Sequence, residues 1–190
     1  VFRSHIEGGE YGLALQLART YGMDQDEVYM ARWKSQPINK FNVNDNLTKI
    51  NNREWVMGEC LTRIADGHEG QRSLLAYGIK ETAKQRPLQT MDAPADDNNA
   101  GCEDSAGGDK DETALWALSH RRRVQLLQYL DRLDTLMAVH NMNFNPEAYQ
   151  SFRDADLKEA AMDFCRGGHV RALELLLRRH GPSLSPHRLD

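Results

Sequence analysis

The 190-residue sequence predicts an all-α fold: an irregular α-solenoid of antiparallel helix pairs with one acidic disordered loop. Three observations predict it. Apolar residues recur at three- and four-residue spacings along the chain, the period of an amphipathic helix, and the strict alternation of a half-buried strand is missing. The helical stretches are short and joined by a few turn-forming residues, which suits antiparallel neighbours. One stretch, 87–112, breaks the pattern altogether.

From Glu10, the residues Ala14, Leu17, Ala18 and Tyr21 share one helix face, and Gly22 follows, able to close the helix in the left-handed conformation. Asp24 then reads as the cap of a second helix, with Glu27 reaching back to complete a capping box. That helix runs to about Lys34, and Pro37 marks the exit. Met57, Cys60, Leu61 and Ile64 form the next stripe, ended by Asp66-Gly67. Leu74, Leu75 and Tyr77 open another, interrupted by Gly78 and stopped before Pro87. A long helix from about Glu112 carries Leu126, Leu130, Leu133 and Met137 and stops near Asn141, after which Asn145-Pro146 supplies a cap and a first-turn proline. Asp156 and Glu159 stand at capping-box spacing ahead of Leu157, Ala160, Ala161 and Phe164. Gly167-Gly168 turns the chain, and Val170, Leu173, Leu176 and Leu177 line the final helix. Arg178, Arg179 and His180 fall in its last turn, where cations oppose the negative helix end, and Gly181-Pro182 stops it.

A turn-then-helix unit recurs. Gly9 stands five residues before Ala14-Leu15-Gln16-Leu17, and Gly167 five before Ala172-Leu173-Glu174-Leu175. Two copies set no fixed period, but the reuse is what an irregular solenoid shows. Residues 1–190 are therefore read as part of a larger helical-repeat domain, with 87–112 as an acidic flexible loop within it. Between Met91 and Thr113 eight carboxylates stand against Lys110 alone, a net −7 in a chain whose total is −4. With almost no large apolar residue after Met91, that stretch buries too little surface to offset the entropy of ordering it.

A mean hydropathy of −0.68 leaves the apolar residues to be concentrated on faces, and no run approaches the roughly 18 residues of a membrane span. The opening Val1-Phe2-Arg3-Ser4-His5 has neither a starting Met nor a signal-peptide core, so we expect a piece of a longer polypeptide. No basic excess points to nucleic acid. Three isolated cysteines, Cys60, Cys102 and Cys165, fit a reducing, cytoplasmic setting.

The motifs of chemistry are missing. The seven histidines contain no HExxH, and His180, His187 and Cys165 have no metal-ligand spacing. No GxSxG occurs, and Cys60 and Cys165, on or beside apolar faces, read as buried inert thiols. Asp131 and Asp134, interleaved with Arg132, read as a solvated charged face. Gly8-Gly9 and Gly167-Gly168 precede helices without phosphate-loop spacing. The one basic cluster, His120-Arg121-Arg122-Arg123, spreads around a helix; a solvated face is the default, a patch for acidic lipid or an acidic partner the alternative. Trp33, Trp55 and Trp116 read as core. No catalytic, cofactor-binding or metal-binding residue is predicted, no cofactor is expected, and no partner-binding residue is assigned.

Ala14-Leu15-Gln16-Leu17-Ala18-Arg19-Thr20-Tyr21-Gly22-Met23-Asp24, with Val28-Tyr29 and Trp33, resembles the opening of the Sec-thirty-nine domain of the neuroblastoma-amplified sequence family. Trp55-Val56 with Glu59-Cys60-Leu61, then Leu74-Leu75-Ala76-Tyr77-Gly78, residues 126–133, and residues 170–176 with His180-Gly181 and 186–189 follow in the same order. Residues from about Thr82 to Thr113 depart from the pattern. The resemblance implies a large cytoplasmic protein, a β-propeller followed by a helical solenoid, peripheral on the endoplasmic reticulum membrane through its partners. It implies a non-catalytic scaffold of the vesicle-tethering complex there, supporting Golgi-to-ER retrograde transport and SNARE assembly. The other tether subunits and the target-membrane SNAREs would be its partners, with no direct nucleic-acid contact, although the family is also linked to nonsense-mediated mRNA decay. The alternative is the kinetochore checkpoint scaffold of the related rod-type family. The isolated piece is expected to be poorly soluble, because cutting a solenoid exposes faces that neighbouring repeats cover.

Overall fold

The computed structural model describes residues 1–84 and 108–184. Every regular element among the described residues is helical. The order is α1 (Phe2–Glu7), α2 (Tyr11–Tyr21), α3 (Asp26–Ser35), α4 (Lys40–Asn42) leading into a π-helical turn (Val43–Leu47), α5 (Arg53–Thr62), α6 (His68–Lys84), α7 (Gly108–Val139), α8 (Pro146–Asp154), α9 (Leu157–Arg166) and α10 (Val170–Leu184).

The local stop and start signals act as the sequence predicts. Gly22 takes φ 65°, and its amide and that of Met23 both donate to the Ala18 carbonyl. Asn145 accepts from the Ala148 amide with Pro146 in the first turn, and Asp156 accepts from the Lys158 amide. At α3 the capping box is only half made. Asp24 accepts from the Asp26 amide at 2.9 Å, but Glu27 pairs with Arg3 of α1 instead of reaching back.

The two glycine turns are the same structure. Gly8 and Gly167 donate to the carbonyls of Ser4 and Asp163, both at 2.9 Å, and Glu10 and His169 donate to His5 and Phe164, both at 2.8 Å. The left-handed residues are Gly9 (φ 75°) and Gly168 (φ 67°). The turn therefore pairs Gly9 with Gly168, one residue out of register with the Ala-Leu-x-Leu alignment.

Three boundaries differ from expectation. α5 ends at Thr62, leaving Ile64 in the connection. α7 starts at Gly108, so 108–112 of the predicted acidic loop is helix; 87–107 lies outside the described residues. α10 continues through Pro182, which removes one backbone donor without breaking the rod, and Gly181 does not turn left-handed. His180 is consequently an interior residue of α10, only 7% exposed, and not a last-turn cation.

Residues 38–52, which carry no periodic signal, are held by a buried carboxylate. Asp26, at the start of α3, accepts from the Asn51 and Asn52 amides and from the Asn51 side chain. That anchor lets Val43, Leu47 and Ile50 insert into the core. Charge-assisted bonds of this kind are each worth about 1.5–3 kcal/mol net, enough to outweigh the weak helical preference of the segment.

Helix α6 is the centre of the packing, contacting α4, α5 and most extensively α7; α8 and α10 pack on α7, and α9 on α10. Its two interior glycines make this possible. A Cβ at Gly70 would lie 2.1 Å from the Ile38 carbonyl oxygen, and one at Gly78 would lie 2.9 Å from a Leu126 methyl and 3.0 Å from Cys60 Cβ. Gly78 is thus a contact point, not an interruption. Trp33, Leu47, Ile50, Leu74, Leu75, Leu126, Leu133, Tyr149 and Leu176 fill the core around it.

Two helix-interior glycines should respond oppositely to the same substitution. Gly70→Ala meets a main-chain oxygen and should cost about 1–3 kcal/mol or more. Gly58→Ala in α5, whose Cβ meets nothing within 4 Å, should stabilise by about 0.5–1 kcal/mol. Urea unfolding of both variants checks the sign of each.

Candidate functional site

The residues of chemical interest do not converge. Cys60 is buried against α6, and its thiol is pushed up to about 12 by burial, with Glu59 and Glu81 adding to the effect. It is buried, as predicted. Cys165 is exposed, contrary to prediction, because α9 buries none of its residues fully and Cys165 lies off its half-buried Leu157–Ala160–Ala161–Phe164 stripe. Cys102 and His187 lie outside the described residues. No group of three His, Cys, Asp or Glu among the described residues is arranged to hold a metal ion, and no helix is long and apolar enough to cross a membrane.

Asp131 and Asp134 share no site: both are partly exposed, as a charged face requires, but they pair with different helices. Asp134 pairs with Arg72 of α6, whereas Asp131 pairs with Arg179 at 3.0 Å and approaches His180 Nδ1 at 3.3 Å, both on α10. Thr135 donates its hydroxyl proton to the Asp131 carbonyl, so its oxygen is left to accept from His180 Nε2 at 2.9 Å. This polar joint pins α10 to α7. Burial pulls the His180 imidazole below its ordinary value of 6.5, and Asp131 opposes that pull.

The arginine cluster on α7 divides among three directions. Arg122 forks onto both carboxylate oxygens of Glu54 in α5, and Arg123 donates to the Ile79 carbonyl of α6 at 2.7 Å. Arg121 points outward. The pairing of Arg122 holds the carboxyl of Glu54 below its usual range.

Around Arg121 lies a surface that the sequence reading missed. Trp116 is 42% exposed and stacks on His120, their ring centroids 5.5 Å apart, instead of entering the core. Val124 and Leu127 stand exposed on the same side. The signal was available: 116, 120, 124 and 127 follow helical spacing on a face roughly 100° round the helix from Leu126, Leu130 and Leu133, so α7 carries two apolar stripes. Two depressions flank the outer stripe. One of about 450 Å³ lies against the end of α6, lined by Thr82, Ala83, Trp116, Arg123 and Leu127. The other, about 800 Å³, runs toward α8 past Arg121, Gln128, Arg132 and Arg153. They meet at His120 and Val124.

No family profile matches the chain. It is similar to the human "NBAS subunit of NRZ tethering complex", 29% identical over an aligned length of 229 residues that covers 100% of this chain and 10% of that protein. It is likewise similar to "MAG2-interacting protein 2" of Arabidopsis thaliana, 29% identical over 184 residues, covering 97% of this chain and 7% of that protein. The resemblance to the neuroblastoma-amplified sequence family thus extends along the whole chain at a distant level. The chain itself spans no more than a tenth of the length of these curated relatives.

The His180 joint makes stability depend on pH. The folded state holds the imidazole neutral more strongly than the unfolded chain does, so its contribution is present above about 6.5 and is lost as pH falls below it. The unfolding free energy read from urea titrations should fall between pH 7 and 5.5, by at most about 1.4 kcal/mol per pH unit from this group, and His180→Gln should flatten that slope. An unchanged slope in the variant would remove His180 from the account.

Proposed function

We propose that this chain is part of a non-catalytic scaffold arm, of the Sec-thirty-nine type, in a vesicle-tethering complex at the endoplasmic reticulum. The observation that carries the reading is whole-length similarity to a subunit named for a tethering complex in human. The all-helical architecture supports it. Helix pairs joined by short turns can be stacked into a long open array, each pair contacting its neighbours and leaving an outer surface for partners.

In this reading residues 1–190 belong to a larger helical-repeat domain. The arm serves Golgi-to-ER retrograde transport by holding other tether subunits and target-membrane SNAREs together, and it associates with the membrane peripherally, through those partners. The work is done by binding free energy and geometry, and no bond of a substrate is made or broken. A stable assembly of this kind requires roughly 1,200–2,000 Å² of total buried surface at each interface, and a rod of stacked helices supplies several such faces in succession.

Affinity purification of the full-length protein that carries this segment provides the test. The other tether subunits and endoplasmic reticulum SNAREs should be recovered with it in near-stoichiometric amounts. Recovery of a pure protein lacking both, under conditions where the other subunits still find one another, would sink the proposal.

A further inference from the structure

We infer that the outer face of α7, from Trp116 to Arg132, is a docking surface for an acidic amphipathic helix of a partner protein. The inference rests on the scaffold reading and assigns it a surface.

The charge pattern carries it. Several arginines of the fold answer a carboxylate on a neighbouring element: Arg32 to Asp45, Arg72 to Asp134, Arg122 to Glu54, Arg179 to Asp131. Arg121, Arg123 and Arg132 border the two joined depressions, and no described carboxylate lies within 4 Å of any of them. Arg123 and Arg132 spend their hydrogen bonds on main-chain carbonyls, of Ile79 and Phe152, and although Asp131, Asp154 and Asp156 act on Arg132 from a distance, none of them pairs with it. Asp154, the sole described carboxylate among the lining residues, is already held by Arg153. The trough is therefore cationic on a chain whose net charge is −4.

The apolar pattern fixes the rest of the partner's chemistry. Trp116, Val124 and Leu127 are each 40–43% exposed and run along the ridge between the cations. A partner must bring an apolar stripe to cover them and carboxylates at its margins to meet the guanidinium groups, which is an amphipathic helix with Asp and Glu flanking its apolar face. The seventeen residues from Trp116 to Arg132 span about 24 Å, the length of a helix of about four turns. A lipid surface fits less well, because the trough is bordered by the end of α6 and by α8. Nucleic acid would leave the apolar ridge without a counterpart.

The test is site-specific photo-cross-linking in cells. A benzophenone amino acid is placed at position 124 of the full-length protein, and the cross-linked peptide is sequenced by mass spectrometry. The expected product joins position 124 to a segment of another polypeptide with apolar residues at helical spacing and net negative charge. Arg121→Glu should cut the yield at least ten-fold, Arg121→Lys should retain most of it, and Leu127→Ser should lower it with the helical circular dichroism of all three unchanged. Cross-links to lipid, to a basic segment or to residues 91–113 of this chain would overturn the inference, as would the absence of any product or an undiminished yield with Arg121→Glu. Co-purification of the tether subunits is measured on the same preparation. If they are retained while the cross-link fails, this face is wrong and the scaffold reading stands.

Discussion

Helix α6 lies so close to its neighbours that two of its positions have no room for a side chain. At Gly70 the intruding group is a main-chain carbonyl, which cannot rotate away, and at Gly78 it is the Cβ of Cys60 together with a methyl of Leu126. Glycine is normally a liability inside a helix, costing about 0.5–1 kcal/mol relative to alanine. Here the loss is offset by the contact it allows, since Leu74 and Leu75 between the two glycines are fully buried. The rest of the architecture follows from that approach. It seats α7 against α5 and α6, and α7 in turn is the platform for α8 and α10.

A second device fixes how the helices follow one another. The last turn of a helix leaves carbonyls with no intrahelical donor, and the end carries partial negative charge. In this protein arginines from other elements fill that role. Arg63 donates to the carbonyls of Trp33 and Lys34 at the end of α3, Arg153 to Leu61 at the end of α5, and Arg132 to Phe152 at the end of α8. Each guanidinium also lies over an aromatic ring: Trp33 at 5.0 Å, Tyr129 at 4.6 Å and Phe152 at 5.4 Å. The stem and the planar head thus cover apolar surface while the N–H groups satisfy the helix end. Lysine offers a point charge and cannot do both.

What the sequence made legible was local. Gly22, Asn145-Pro146, Asp156 and the two glycine turns work through groups within five residues, so spacing alone reveals them. What it hid was long-range. The segment after Pro37 has no apolar period because its order comes from Asp26, 25 residues upstream of Asn51. Gly78 reads as an interruption until Cys60 and Leu126 are seen beside it. Cys165 reads as buried until α9 is found with only a half-covered face. The basic cluster on α7 is visible as a cluster, but which of its arginines is free depends on Glu54, 68 residues from Arg122. The partners of Asp131 and Asp134 are hidden for the same reason: an i, i+3 spacing places two carboxylates on one helix but says nothing of the different helices they meet.

Leu126 and Leu127 show why folding and binding can be separated in such a molecule. They are neighbours in sequence, yet Leu126 is 0% exposed and Leu127 43%. A helix turns about 100° per residue, so adjacent side chains answer to different environments. The inner stripe of α7 is constrained by close packing, where a single methylene is felt. The outer stripe is constrained less, because Trp116, His120 and Arg121 make no hydrogen bond or ion pair to another described element. A change on the outer face should therefore alter association at little cost to stability, and a change on the inner face should do the reverse. A scaffold built from two-striped helices can on this basis acquire or lose a partner without disturbing its own fold.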